Sequence, residues 1–125
     1  MENLSIAQTS KSPNVQFKTN GELLISGKSI PEDSTQYYKP LFTWLEEFKK
    51  TNPAAINLTL KLEYMNTASV RIILKFLQNL VSLSKENLAL NIKWVYDFDD
   101  DDICEQGEII AESIKFPMEM MPQGE

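Results

Sequence analysis

Between Ile56 and Tyr96 the apolar pattern changes period twice, and no other feature restricts the fold as much. Ile56, Leu58, Leu60, Leu62 and Tyr64 stand two apart, with Asn57, Thr59, Lys61 and Glu63 between them. That spacing predicts a strand with one buried face. From Val70 the spacing becomes helical: Val70, Ile73, Leu74, Leu77, Leu80 and Val81 form one stripe, widened by Ile72 and Phe76. Leu88, Leu90, Ile92, Trp94 and Tyr96 then return to alternation. Strands separated by a helix predict a crossover connection, and so a mixed sheet with helices packed against it.

The flanking segments extend the same grammar. Two short β-like runs surround Asn20-Gly21, a dipeptide suited to the positive φ angles of a type I′ turn, so a β-hairpin is expected. Pro31 sets a bend, and Asp33 or Ser34 is available to cap a helix. Apolar residues at 37, 38, 41, 44, 45 and 48 have helical spacing. Pro40 fits poorly inside a helix, so the expectation is a first turn ending there or a helix starting with Pro40 at its first position. Asn52-Pro53 ends that helix. Ile103, Ile110, Ala111 and Ile114 mark a third helix, in which Gly107 costs about 1 kcal/mol relative to alanine and so implies close packing. Residues 114–120 read as a last strand, confined by Pro117 to an edge or bulge. The reading is one α/β domain in the order ββαβαβαβ over residues 14–120, with a flexible start over 1–13 and a frayed end over 121–125.

Charge and composition exclude several classes. A net charge of −6 and a single cysteine, Cys104, argue against nonspecific nucleic-acid binding and exclude an internal disulfide. Neither a leader pattern nor an apolar run of about 18 residues is present, so no membrane insertion and a cytoplasmic location are expected. The chain contains no histidine. Histidine-based triads, imidazole metal sites and imidazole proton shuttles are therefore excluded.

Four groups of residues invite a functional reading. The run Asp97-Phe98-Asp99-Asp100-Asp101-Asp102 suggests a metal-dependent hydrolase. It lacks the register of an EF-hand loop, and carboxylates at a helix start are favoured by the dipole without any metal. Tyr37, Tyr38, Trp44, Tyr64, Trp94 and Tyr96 offer aromatic surface; phase assigns Trp44 to the core, while Trp94 and Tyr96 near a strand end fit core or pocket. Glu105 and Glu108 read as a solvated helix face, and Cys104, without a histidine and among carboxylates, is poorly placed for thiolate chemistry. Asn66-Thr67-Ala68-Ser69 lies where the alternating pattern gives way to the helical one. Asn66 or Thr67 can cap the following helix, and a hydroxyl there is equally well placed to carry a phosphate near the positive helix end.

Three blocks, "GELLISGKSIPEDSTQYYKPLFTWLEEF", "LKLEYMNTASVRIILKFL" and "IKWVYDFDDDDICEQGE", cover most of residues 21–116. In order, they resemble the SiaC-type bacterial regulatory phosphoproteins. The resemblance implies a STAS-like fold and a non-enzymatic switch with no cofactor and no metal. It implies a SiaB-like protein kinase and a SiaA-like PP2C-type phosphatase acting on the threonine of an Asn-Thr-Ser-Ser motif. The unphosphorylated form then binds an effector, a SiaD-like diguanylate cyclase, in a cyclic-di-GMP pathway controlling aggregation and biofilm. Carried over by position, Thr67 is the phosphoacceptor, and Asn66 and Ser69 belong to the partner-binding corner. Ala68 departs from the motif's serine. Pro31, Glu32, Tyr38 and Trp44 match family blocks and serve folding equally well. A phosphorylation-independent adaptor is the remaining alternative.

Overall fold

The computed structural model describes residues 1–124. Six strands form one sheet in sequence order: β1 (Leu4–Ile6), β2 (Asn14–Phe17), β3 (Glu22–Ser29), β4 (Ala55–Met65), β5 (Ala89–Asp97) and β6 (Glu119–Gln123). The pairs β1–β2 and β2–β3 are antiparallel, whereas β3, β4, β5 and β6 are mutually parallel. Three helices connect the parallel strands: α1 (Ser34–Lys49), α2 (Thr67–Ser84) and α3 (Asp101–Ile114). Because the strand order advances in one direction and crossovers are right-handed, all three helices fall on one face of the sheet.

That face holds the core. Val15, Phe17, Leu23, Ile25, Ile56, Leu58, Leu60, Ile92 and Trp94 point into it, against Leu41, Leu45, Phe48, Ile73, Phe76, Leu77 and Ile110 from the helices. The opposite face carries polar side chains, tied crosswise where Asn91 Nδ2 donates to Asn57 Oδ1 and Asn57 Nδ2 donates to Glu22 Oε1. The mixed sheet, its three helices and the expected strand–helix alternation are therefore as read from the sequence.

Five details differ. Residues 4–6, expected to be loose, form edge strand β1, with Leu4 opposite Phe17 and Ile6 opposite Val15. Their two apolar side chains continue the inward rows of β2, which supplies the driving force for docking. Residues 121–123, expected to fray, belong to β6 beside Val95, Tyr96 and Asp97; Glu125 lies outside the described residues. The β2–β3 connection is not a two-residue type I′ turn. Gly21 N–H donates to the Lys18 carbonyl and only Gly21 in that loop has positive φ, +95°, which marks a longer loop closed by a left-handed glycine.

Helix α1 starts at Ser34 and runs through Pro40. Proline deprives the Gln36 carbonyl of its helical donor. Both residues are exposed, so that carbonyl is open to solvent and the helix continues. Asp33 caps it, accepting from Gln36 N–H at 3.1 Å. Finally, Tyr64 was expected to face inward with Leu62. The β3–β4 register passes from Gly27 opposite Leu62 to Lys28 opposite Tyr64, leaving Glu63 as an extra residue in β4. This bulge shifts the phase: Met65 is buried and Tyr64 is 57% exposed.

Candidate functional site

The β4–α2 corner is built by a cap and a buried hydroxyl chain. Asn66 has extended backbone geometry and its Oδ1 accepts from Ser69 N–H at 2.8 Å, while its carbonyl accepts from Val70 N–H at 3.0 Å. Asn66, not Thr67, is thus the N-cap. Its own N–H donates to the Ser29 carbonyl at 3.0 Å, fixing the end of β4 to the end of β3.

Thr67 is the first residue of α2 and is exposed, as is Ala68. The amides of both precede the helical ladder, so neither has an intrahelical acceptor. Helix α2 has no acidic residue in its first turn, whereas α3 has Asp101 and Asp102. In a chain of net charge −6, the start of α2 is therefore left without a neighbouring carboxylate on its own helix. A hydroxyl at this point can accept a phosphoryl group with little steric obstruction, next to amides and a helix end that favour negative charge.

Ser69, expected to belong to the partner surface, has no exposed surface at all. Its hydroxyl lies under the corner, accepting from Ser29 Oγ at 2.8 Å and lying 3.3 Å from Ser34 Oγ. Since Ser29 gives its one proton to Ser69, the Tyr38 hydroxyl is the donor in the 2.6 Å contact with Ser29. Ser69 and Ser34 share the 3.3 Å contact, in which either hydroxyl can donate. The chain Tyr38–Ser29–Ser69–Ser34 ties α1, β3 and α2 together. Ser69 thus lies beneath the corner and holds it together from within. Burial pushes the Tyr38 phenol well above its ordinary value; the hydrogen bond with Ser29 opposes that shift and neighbouring Tyr37 adds to it.

Sequence reasoning did not single out Ser29, and it considered Ser34 only as a possible cap, a place that Asp33 takes. Ser29 had a signal, since it follows Leu23, Ile25 and Gly27 in the inward phase of β3, where a hydroxyl requires a partner. The outward turn of Tyr64 had no signal, because the bulge depends on pairing with β3.

The other sequence-derived candidates have structural explanations. Asp100 caps α3 by accepting from Ile103 N–H at 3.0 Å, and Asp101 and Asp102 occupy its first turn. Among the described residues no three carboxylate or thiol groups converge to hold a metal ion. Trp44 is buried against Phe17 and Phe48, with its Nε1 donating to the Glu2 carbonyl. Trp94 is buried too, donating from Nε1 to the Ile103 carbonyl at 3.0 Å. Gly107 lies over that indole, where a Cβ would stand 2.5 Å from Nε1. The close packing expected at Gly107 is thereby found, and its partner is Trp94. Tyr96 is half-buried; its phenol is pushed up, foremost by a hydrogen bond with Cys104. No helix among the described residues is long and apolar enough to cross a membrane.

Comparison with known proteins gives a consistent result. The model of the SiaC family regulatory phosphoprotein matches residues 6–123. An uncharacterised protein of Pseudomonas aeruginosa strain UCBPP-PA14 is 27% identical over 126 residues, spanning the full length of both chains. The solved structure of SiaC of Pseudomonas aeruginosa superposes with a TM-score of 0.89 at 26% identity, covering 98% of this chain and 100% of that one. A chain in the crystal structure of diguanylate cyclase SiaD in complex with its activator SiaC, also from Pseudomonas aeruginosa, gives 0.90 at 26% identity. There the coverage is 96% of this chain and 99% of the other.

Proposed function

The chain belongs to the SiaC family of regulatory phosphoproteins, and from that premise we propose that it is a non-enzymatic switch read out through its β4–α2 corner. Thr67 is the phosphoacceptor, a protein kinase adds the phosphate and a PP2C-type phosphatase removes it. The unmodified corner binds and regulates an effector enzyme, a diguanylate cyclase. The cyclase assignment is supported by the likeness to a SiaC that is the activator of diguanylate cyclase SiaD.

The observation that carries the switch is the contrast between Thr67 and Ser69. Both hydroxyls lie in the first turn of α2, yet only Thr67 is exposed. A kinase reaches Thr67 without disturbing the fold, whereas Ser69 is locked into the buried hydroxyl chain. Phosphorylation adds nearly two negative charges and a strongly hydrated tetrahedral group to a surface built for contact. A partner that covers the corner must then strip that hydration or leave a gap.

Incubation with the cognate kinase and peptide mapping by mass spectrometry tests the assignment. Phosphate is expected on Thr67 and absent from Thr67→Ala. Phosphate on another residue, unaffected by that substitution, overturns it. Affinity for the cyclase, measured before and after phosphorylation, separates the switch from an adaptor whose binding ignores modification.

A further inference from the structure

An open groove of about 450 Å³ runs beside the corner, between the end of β4, the start of α2 and the exposed side of α3. Val70 is at its α2 wall, one helical turn after Thr67 and next to it on the helix surface. Tyr64 and Ile109 border it and are 57% and 56% exposed, although both are large apolar or aromatic side chains. Tyr64 owes its exposure to the Glu63 bulge, which turned it out of the core. Ile109 lies on α3 in line with Asp102 and Glu105, so this wall of the groove extends over about two helical turns.

The groove is also strongly one-signed. Glu63, Asp102 and Glu105 stand along it, and no lysine or arginine is among the residues that line it. Two exposed apolar side chains within an acidic border match one kind of partner: a helix carrying apolar residues on one stripe and lysine or arginine beside them.

We infer that this groove is the docking surface for a basic amphipathic helix of the effector, with an apolar side chain seated between Tyr64 and Ile109. The inference rests on the reading of the chain as an effector-binding switch. It adds where the partner lies and which charge it brings. Continuity with Thr67 gives the location its consequence, because a helix running along α3 to Val70 ends beside the phosphoacceptor.

The test is the affinity of the unmodified protein for the diguanylate cyclase encoded in its own genome, measured at low and high salt. Four proteins are compared: the natural chain, Ile109→Glu, Glu105→Lys, and Glu119→Lys as an equal charge change on the opposite sheet face. All three positions are exposed, and thermal melts establish that each variant is folded. Ile109→Glu is expected to weaken binding about tenfold or more. Glu105→Lys weakens it at low salt, with a smaller loss at high salt, and Glu119→Lys leaves it unchanged. Unaltered binding by Ile109→Glu and Glu105→Lys, with binding still lost on Thr67 phosphorylation, overturns the groove and leaves the switch standing. Tighter binding by Glu105→Lys likewise overturns it, since the partner would then be acidic. Absence of any binding to the cyclase by the natural chain overturns the switch and the groove together.

Discussion

The hydroxyl of Ser29, at the end of β3, donates to the hydroxyl of Ser69, in the first turn of α2, across 2.8 Å of fully buried space. Two serines 40 positions apart in the chain thus hold the corner that presents Thr67. Every buried side-chain polar atom among the described residues that lacks exposure has a partner, so this chain is satisfied rather than strained.

Removing one member leaves the others buried without a full set of partners. Ser69→Ala deprives Ser29 of its acceptor and Ser34 of its hydroxyl partner, and is expected to destabilise the fold by about 1–3 kcal/mol. Ser69→Val adds volume in the same place and should cost more. Urea unfolding followed by circular dichroism measures both. Thr67→Ala, on the exposed side of the same turn, should change stability by only about 0.5 kcal/mol or less.

A second prediction concerns Gly107. On helix propensity alone Gly107→Ala would stabilise α3 by about 1 kcal/mol. The added Cβ would stand 2.5 Å from Trp94 Nε1, and the indole is held by its bond to the Ile103 carbonyl. A rigid, buried ring cannot give way as a flexible side chain does. The clash should therefore win, with a net loss of about 2 kcal/mol and a shifted Trp94 fluorescence spectrum.

These two sites show how far the sequence could be read. Glycine in an otherwise helical pattern announces a close approach, and that approach exists; the sequence cannot name Trp94 as the partner, because the pairing depends on how α3 crosses β5. Alternation placed Ile56, Leu58, Leu60 and Leu62 correctly in the core. It failed at Tyr64, because a bulge is a property of two paired strands and one strand's pattern does not contain it. Pro40 was read as a boundary from its local cost alone, whereas exposure of Gln36 lets water meet that cost. The motif that located Thr67 also led to Ser69, two residues on. Helical geometry turns those two side chains to different sides, one to solvent and one to Ser29.

Alkaline pH should act through Tyr38. Its phenol is buried and its ionisation is pushed up by that burial, opposed by Ser29 and reinforced by Tyr37, whose own ionisation burial also raises. An acid whose folded value lies above its unfolded value stabilises the fold fully below the unfolded value, about pH 10 for tyrosine, and loses that contribution as pH rises further. Stability should therefore be insensitive to Tyr38 below about pH 10 and fall above it. Tyr38→Phe should lower stability at neutral pH, through the lost bond to Ser29, and flatten the alkaline decline. Unfolding curves between neutral pH and strong alkali, with tyrosinate absorbance followed in parallel, check both.

The last prediction concerns the phosphorylated form. Arg71 lies four residues after Thr67 on α2, is exposed, and has no carboxylate within salt-bridge distance among the described residues. Side chains on a helix lean toward its N-terminus, so Arg71 extends over the turn that carries Thr67. A phosphate on Thr67 would meet that guanidinium and accept charge-assisted hydrogen bonds from it. Pairing favours the dianion, so the second ionisation of phosphothreonine 67 should lie below its usual value of about 6. Replacing Arg71 with glutamine removes the pair and should raise that ionisation by several tenths of a pH unit or more, roughly the range for an exposed pair. Phosphorus NMR titration of the phosphorylated protein, with and without Arg71→Gln, reads the shift directly. The fold should tolerate the substitution, since Arg71 contributes nothing to the core. An unchanged titration would mean that the phosphate points away from α2, leaving Arg71 free for a partner.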